Sequence, residues 1–242
     1  MDARLPVRAF FTDRYDGVSA KPFDELNLAE GVGDDPSAVA VNRKVVEDRA
    51  GAPVVFMRPE HGAKVAVLGS QYLDRREPPE ADVLVTMVPG LALATLAADC
   101  IPLLIHDGLS GAVAAVHIGR EGLRVGVVDA AIAALADIRG GWRYQEKMSA
   151  SIGPSICGRC YEVSNEVRAS VAERHPVATA TTSWGSPSLD LPRAVADRLV
   201  QLGFTSVLRH RRCTFEDASL FSYRRDKVTG RQAGVVLCEA VR

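Results

Sequence analysis

Three short segments of the chain join a reactive side chain to a turn of small residues: Glu60-His61-Gly62, Asp99-Cys100 and Val116-His117-Ile118-Gly119. Neutral imidazole and thiolate are the usual soft ligands of zinc, and three protein ligands with a fourth position open mark a catalytic rather than a structural centre. His61, Cys100 and His117 supply that set. They lie too far apart in sequence for one loop to hold them, so only the fold could bring them together. Taken singly, a cysteine in an apolar run is a small buried hydrophobe, and a lone histidine is hydrogen-bonded or on the surface. Asp99 adds a carboxylate inside an apolar stretch, where burial without a partner is costly. It reads either as a group that orients a ligand or acts as a base, or as the cap of a turn.

Each of these segments falls at the end of an expected strand. Apolar β-type runs recur at 54–57, 64–68, 82–86, 91–97, 103–106, 112–117, 148–153, 205–208 and 234–238, and several are too uniformly apolar to have a wet face. Helical patterns lie over 191–202, where Asp190, Pro192 and Gly203 punctuate the ends, over 121–138, and over 161–174. The runs at 82–86, 91–97, 103–106 and 112–117 follow one another without intervening helices, which argues against strict β–α alternation. The expected fold is α+β, with layered mixed sheets flanked by helices as an αββα-type sandwich, in a single catalytic domain over residues 1–242. Segment 74–80, with Pro78 and Pro79, reads as a surface loop.

Composition removes several classes of function. With 29 basic against 30 acidic side chains in 242 residues, there is no global field to hold nucleic acid or an anionic membrane surface. The longest apolar stretch, 83–105, is broken by Pro89, Gly90, Asp99, Cys100 and Pro102, and so reads as buried strands rather than a membrane span. Five cysteines and an opening MDARLPVRAFFT without a signal-peptide pattern lead to the expectation of a reducing cytoplasm. Cys157 and Cys160 form a C-x-x-C with no second pair, read here as an incidental reduced pair. No feature marks a surface for a protein partner.

The wording of the sequence adds what spacing cannot. EHGAKV at 60–65, ADVLVT at 81–86, LATLAADCIPLLIHD at 93–107, AAVHIGREGL at 114–123, IGPSICGRCYEV at 152–163, DLPRAVADRLVQLG at 190–203 and LFSYRRDKVTGRQ at 220–232 resemble one family. FFTDRYDGVS at 10–19, NLAEGVGDD at 27–35 and VNR at 41–43 resemble its opening pattern. That family carries the names purine nucleoside phosphorylase, polyphenol oxidase (laccase) domain and peptidoglycan editing factor. The resemblance implies that His61, Cys100 and His117 form the active centre and hold zinc, with copper the less expected metal. It also implies phosphorolysis of adenosine, inosine, guanosine and methylthioadenosine to base and ribose-1-phosphate, and deamination of adenosine.

Phosphorolysis needs cations beside the phosphate. Arg43 of VNR, Arg231 of TGR and Arg14 are the candidates, whereas Arg224 and Arg225 read as a structural clamp to Asp226 or a helix end. The chain departs from the family pattern in three places. His117-Ile118-Gly119-Arg120-Glu121-Gly122 stands where H-A-G-W-R-G is usual, Pro59-Glu60 where Gln-Val is usual, and Cys157-Gly158 where Gly-Pro is usual, which creates a C-x-x-C that the family does not require. A second reading, a cysteine hydrolase or amidase acting on peptidoglycan precursors with Cys100 as nucleophile and His117 as base, needs no metal. A multi-copper oxidase would need more histidines than the five present, and an inactive binding module is the remaining reading.

Overall fold

Strands β5 (Ala92–Ala97), β6 (Ile101–Asp107) and β7 (Val113–Ile118) are buried at every position, which requires cover on both faces. In a computed structural model, which describes residues 1–74, 77–141 and 147–240, two mixed sheets provide that cover for each other. One runs in the order β1 (Ala9–Phe11), β12 (Gln232–Leu237), β5, β2 (Val54–Phe56), with only the β2–β5 pair parallel. The other runs β11 (Ser206–Arg209), β8 (Met148–Ile152), β6, β7, β4 (Val83–Thr86), β3 (Val65–Leu68), parallel at its two edges and antiparallel within. A small hairpin of β9 (Thr179–Thr181) and β10 (Pro187–Leu189) stands apart.

The period of two along these apolar strands sorts the core into three layers. Phe11, Leu93 and Val236 of the first sheet meet Leu84, Leu104 and Ala115 of the second. The alternate residues Ala92, Ala94 and Leu96 face Val46 and Ala50 of helix α1 (Pro36–Ala50). Leu103, Ile105 and Val116 face helix α3 (Val127–Ile138), with Val195 and Leu199 of α5 (Leu191–Gln201) in the same cluster. The expected αββα sandwich is therefore the observed one.

The helices differ from expectation in three ways. The single helix expected over 121–138 is two, α2 (Arg120–Val125) and α3, because Gly126 takes the left-handed conformation at φ 92°. The helix expected over 161–174 starts later, as α4 (Asn165–Ala172), with the Ser164 side chain capping the Val167 N–H. Helix α1 was not expected, because its sequence carries no clear apolar stripe. Its start is nevertheless signalled by Asp35, which accepts from the Ser37 N–H, and by Pro36 in the first turn. A short α6 (Tyr223–Asp226) precedes β12. No helix among the described residues is long and apolar enough to cross a membrane.

Candidate active site

The three candidate ligands converge at one end of the sandwich. Cys100 sits in the turn from β5 to β6, entered through Asp99 at φ 93°. Antiparallel pairing of β6 with β7 sets Pro102 opposite His117, which brings Gly119 beside Cys100. His61, at φ 62°, lies in the segment between β2 and β3. The metal-ligating atoms of His61, Cys100 and His117 all lie within 4.8 Å of one another, and the two imidazoles meet edge to face with centroids 4.7 Å apart.

Asp82, fully buried just before β4, holds this arrangement together. Its carboxylate accepts from the backbone N–H of His61 at 2.9 Å and of Gly62 at 2.8 Å, and lies 3.0 Å from His117 Nδ1. Fixing Nδ1 leaves His117 Nε2 to face the thiol, the second-layer carboxylate–histidine pattern of metal centres. Asp82 was missed as a functional residue. The available signal was a carboxylate opening an apolar strand, in the segment ADVLVT.

The electrostatics of the centre's own side chains follow from these neighbours. Burial pushes the Cys100 thiol up, but the charge and hydrogen bond of His117, together with His61, outweigh it and bring the thiol down to about 6. Burial likewise disfavours the His117 cation, yet Cys100 and Asp82 raise it to about 9. For Asp82, the His117 ring and the N–H groups of Gly62 and His61 overcome burial and lower its carboxyl below the ordinary value. The result is a thiolate–imidazolium pair backed by a carboxylate. The residues also fit a metal by shape: a Cβ on Gly119 would come within 3.2 Å of His61 Cδ2 and 3.4 Å of Cys100 Sγ. Glycine keeps that space open beside two of the three donors.

A cavity of about 660 Å³ opens over the centre, within the range of small-molecule sites. Arg43, Arg58, Arg120, Arg224 and Arg231 line it, as do Tyr161 and Tyr223. Of the arginines expected from sequence, Arg43 and Arg231 are in this wall and Arg14 is not. Arg43 is committed to Glu30 at 2.5 Å and lies over the Phe56 ring. Arg231 donates to the carbonyls of Thr229 and Gly230, and Arg224 to that of Glu162. Among the described residues, neither Arg224 nor Arg231 makes an ion pair with a carboxylate. Burial holds Arg231 below its ordinary value, against the pull of Cys100 and Asp99. Arg14 is instead paired with Asp24 at 3.3 Å and packed over Phe221.

The clamp expected of Arg224 and Arg225 divides between them. Arg225 binds both oxygens of Asp226 and the carbonyls of Thr214 and Leu220, whereas Arg224 lies over Tyr161 in the cavity wall. Asp99 also lines the cavity, with its carboxylate accepting from Thr214 Oγ1, Ser222 Oγ and the Arg224 N–H at 2.6–2.7 Å. Two of those bonds dock the Arg224 segment onto the Cys100 turn, and the third docks the Thr214 loop onto it. At two of the three departures from the family pattern, Arg120 keeps a cation in the wall, Glu121 is held by Arg124, and Glu60 pairs with Lys64.

Fold and site together define an αββα protein with a His–Cys–His centre at the mouth of an arginine-lined cavity. The chain belongs to the family described as multi-copper polyphenol oxidoreductase laccase, whose model matches residues 8–239. A Streptomyces coelicolor protein named purine nucleoside phosphorylase is 48% identical over 93% of each chain. Purine nucleoside phosphorylase YfiH of Escherichia coli is 35% identical over 95% of this chain and 93% of its own. Among solved structures, YlmD from Geobacillus stearothermophilus aligns with a TM-score of 0.86 at 28% identity, over 99% of this chain and 94% of that one. A Neisseria meningitidis protein aligns at 0.85 with 33% identity, over 97% and 95%.

Proposed function

We propose that the protein is a zinc-dependent purine nucleoside phosphorylase that also deaminates adenosine. The observation that carries this reading is the meeting, in one cavity, of a three-donor His61–Cys100–His117 set with Arg224 and Arg231, which make no ion pair with a carboxylate among the described residues. The relatives' names support the same reading. Arg231 and Arg224 are placed to hold a phosphate dianion beside the ribose, supplying the charge stabilisation that phosphorolysis demands. The exposed ring of Tyr223 in the cavity wall offers a stacking surface for the purine. Asp82 keeps His117 in one tautomer and ties it to the His61 backbone, so both donors stay in register. When bound, zinc would lower the pKa of a water in its open position toward about 7, supplying the nucleophile for attack at the purine C6. Adenosine, inosine, guanosine and methylthioadenosine are the proposed nucleosides.

The family's multi-copper description meets an obstacle in the donors. His106 lies within β6, His175 Nε2 is 3.2 Å from the Leu123 carbonyl, and His210 packs edge-on against Phe11. None joins His61 and His117, and a coupled copper cluster needs more imidazoles than two.

One observation favours a second reading. Cys100, His117 and Asp82 form a thiol–imidazole–carboxylate chain of the kind that activates a nucleophile, as a cysteine amidase acting on peptidoglycan precursors would require. Chromatography of the purified protein with adenosine, inosine or methylthioadenosine, with and without phosphate, separates the readings. Free base appearing only with phosphate is the expected result, with inosine formed from adenosine irrespective of phosphate. No turnover of any nucleoside would overturn the phosphorylase reading and leave the amidase.

A further inference from the structure

The Cys157-x-x-Cys160 pair has two partners from a distant loop. An isolated parallel bridge joins Ser155 to Cys213, and the Thr214 N–H donates to the Ser155 carbonyl at 3.2 Å. This lays Cys213 against the pair, with the Cys157 N–H donating to Cys213 Sγ at 3.3 Å. Three residues on, Glu216 accepts from Cys160 Sγ at 3.4 Å. One ligand atom from each of Cys157, Cys160, Cys213 and Glu216 lies within 4.8 Å of all the others, and none of the cysteines is in a disulfide.

We propose that Cys157, Cys160, Cys213 and Glu216 form a second metal site, a closed tetrahedral site for a zinc-class divalent cation with a structural role. Four protein donors leave no position for substrate, which separates this site from the open three-donor centre. With Zn–S bonds of about 2.3 Å, sulfurs in a tetrahedral site stand roughly 3.8 Å apart, so the observed cluster needs only small side-chain adjustments to close on an ion. Three thiols so close cannot all ionise without a cation. A dication would release that conflict. Arg159, Arg209 and Arg211 line the cleft beside the cluster, and Arg159 lies 3.2 Å from Glu216, offsetting the site's negative charge.

The position of the cluster gives it work to do. Thr214, next to Cys213, donates to the Asp99 carboxylate at 2.6 Å. Ile156, next to Cys157, donates its N–H to the Asp99 carbonyl at 3.0 Å. The metal would thus pin both loops that brace the Cys100 turn from behind.

The test is metal stoichiometry by mass spectrometry on the full chain, purified from zinc-supplemented cells. Cys100→Ala is expected to keep one equivalent of zinc and Cys100→Ala/Cys213→Ser to keep none. Cobalt added to chelated Cys100→Ala should give thiolate-to-cobalt charge-transfer bands that the double variant lacks. Equal metal content in the two variants would overturn the site, as would a Cys157–Cys160 disulfide seen as a peptide two hydrogens lighter. Should Cys213→Ser fail to fold, Glu216→Gln on the Cys100→Ala background, at an exposed position, should weaken zinc binding by at least about tenfold. Unchanged affinity there would equally overturn the proposal.

Discussion

Asp82 governs both histidines of the centre, because one carboxylate fixes the His117 tautomer and anchors the backbone at His61 and Gly62. Asp82→Asn keeps the shape but loses the charge, and is expected to lower zinc affinity and kcat/KM by about 10–100-fold, as measured by chelator competition and steady-state kinetics. A pH signature belongs to the same residues in the chelated protein. Cys100 is depressed to about 6 from 9.0, so its stabilisation is present above pH 9 and lost as pH falls through about 6. His117 is raised to about 9 from 6.5, so its share is complete below 6.5 and lost as pH rises through about 9. The ion pair therefore persists between about pH 6 and 9. Iodoacetamide labelling of the Cys100 peptide should rise through pH 6, whereas a rise near pH 9 would show an unpaired thiol. His61, Cys100 and His117 were legible as soft donors beside small turns, but Asp82 was not, since a carboxylate before a strand resembles a turn residue until its three donors are seen.

At the scale of elements, the segment leading into β12 delivers Arg231 and helix α6 delivers Arg224, while the segment after β1 spends Arg14 on Asp24 and Phe221. Arg231→Ala and Arg224→Ala should each raise the KM for phosphate at least about tenfold, the cost of a charge-assisted bond. Arg14→Ala should leave turnover unchanged and remove about 1–2 kcal/mol of stability, read from denaturant midpoints. Arg43, Arg231 and Arg14 look alike in sequence, Arg224 reads there as a structural clamp, and only the packing separates a cavity-facing cation from a structural one. The same limit explains the broken helix. The apolar stripe over 121–138 runs past Gly126 without a break, whereas Gly126 takes the left-handed conformation at φ 92° that glycine adopts without strain and ends α2 there.

Across the whole molecule, the αββα layering was legible because strands such as β5 and β6 are apolar at every position, which two wet-faced sheets would not permit. The pairing order was not legible, since β12 joins β1 to β5 from the far end of the chain and nothing local records it. Where the sheets meet, Gly153 and Gly234 make room for Phe11 and Pro102. A Cβ on Gly153 would come 2.7 Å from Pro102 Cγ, and one on Gly234 would come 2.9 Å from Phe11 Cε1. Gly153→Ala should therefore cost about 1–3 kcal/mol through overpacking, seen as a lower urea midpoint at constant slope. The central place of β12 has a consequence for synthesis. A ribosome delivers β1, β2 and β5 long before the strand that lies between β1 and β5, so the edges of β1 and β5 that pair with it must wait unpaired. Arg231 arrives immediately ahead of the same strand, and the cavity and the sheet that supports it are thus completed in one late step.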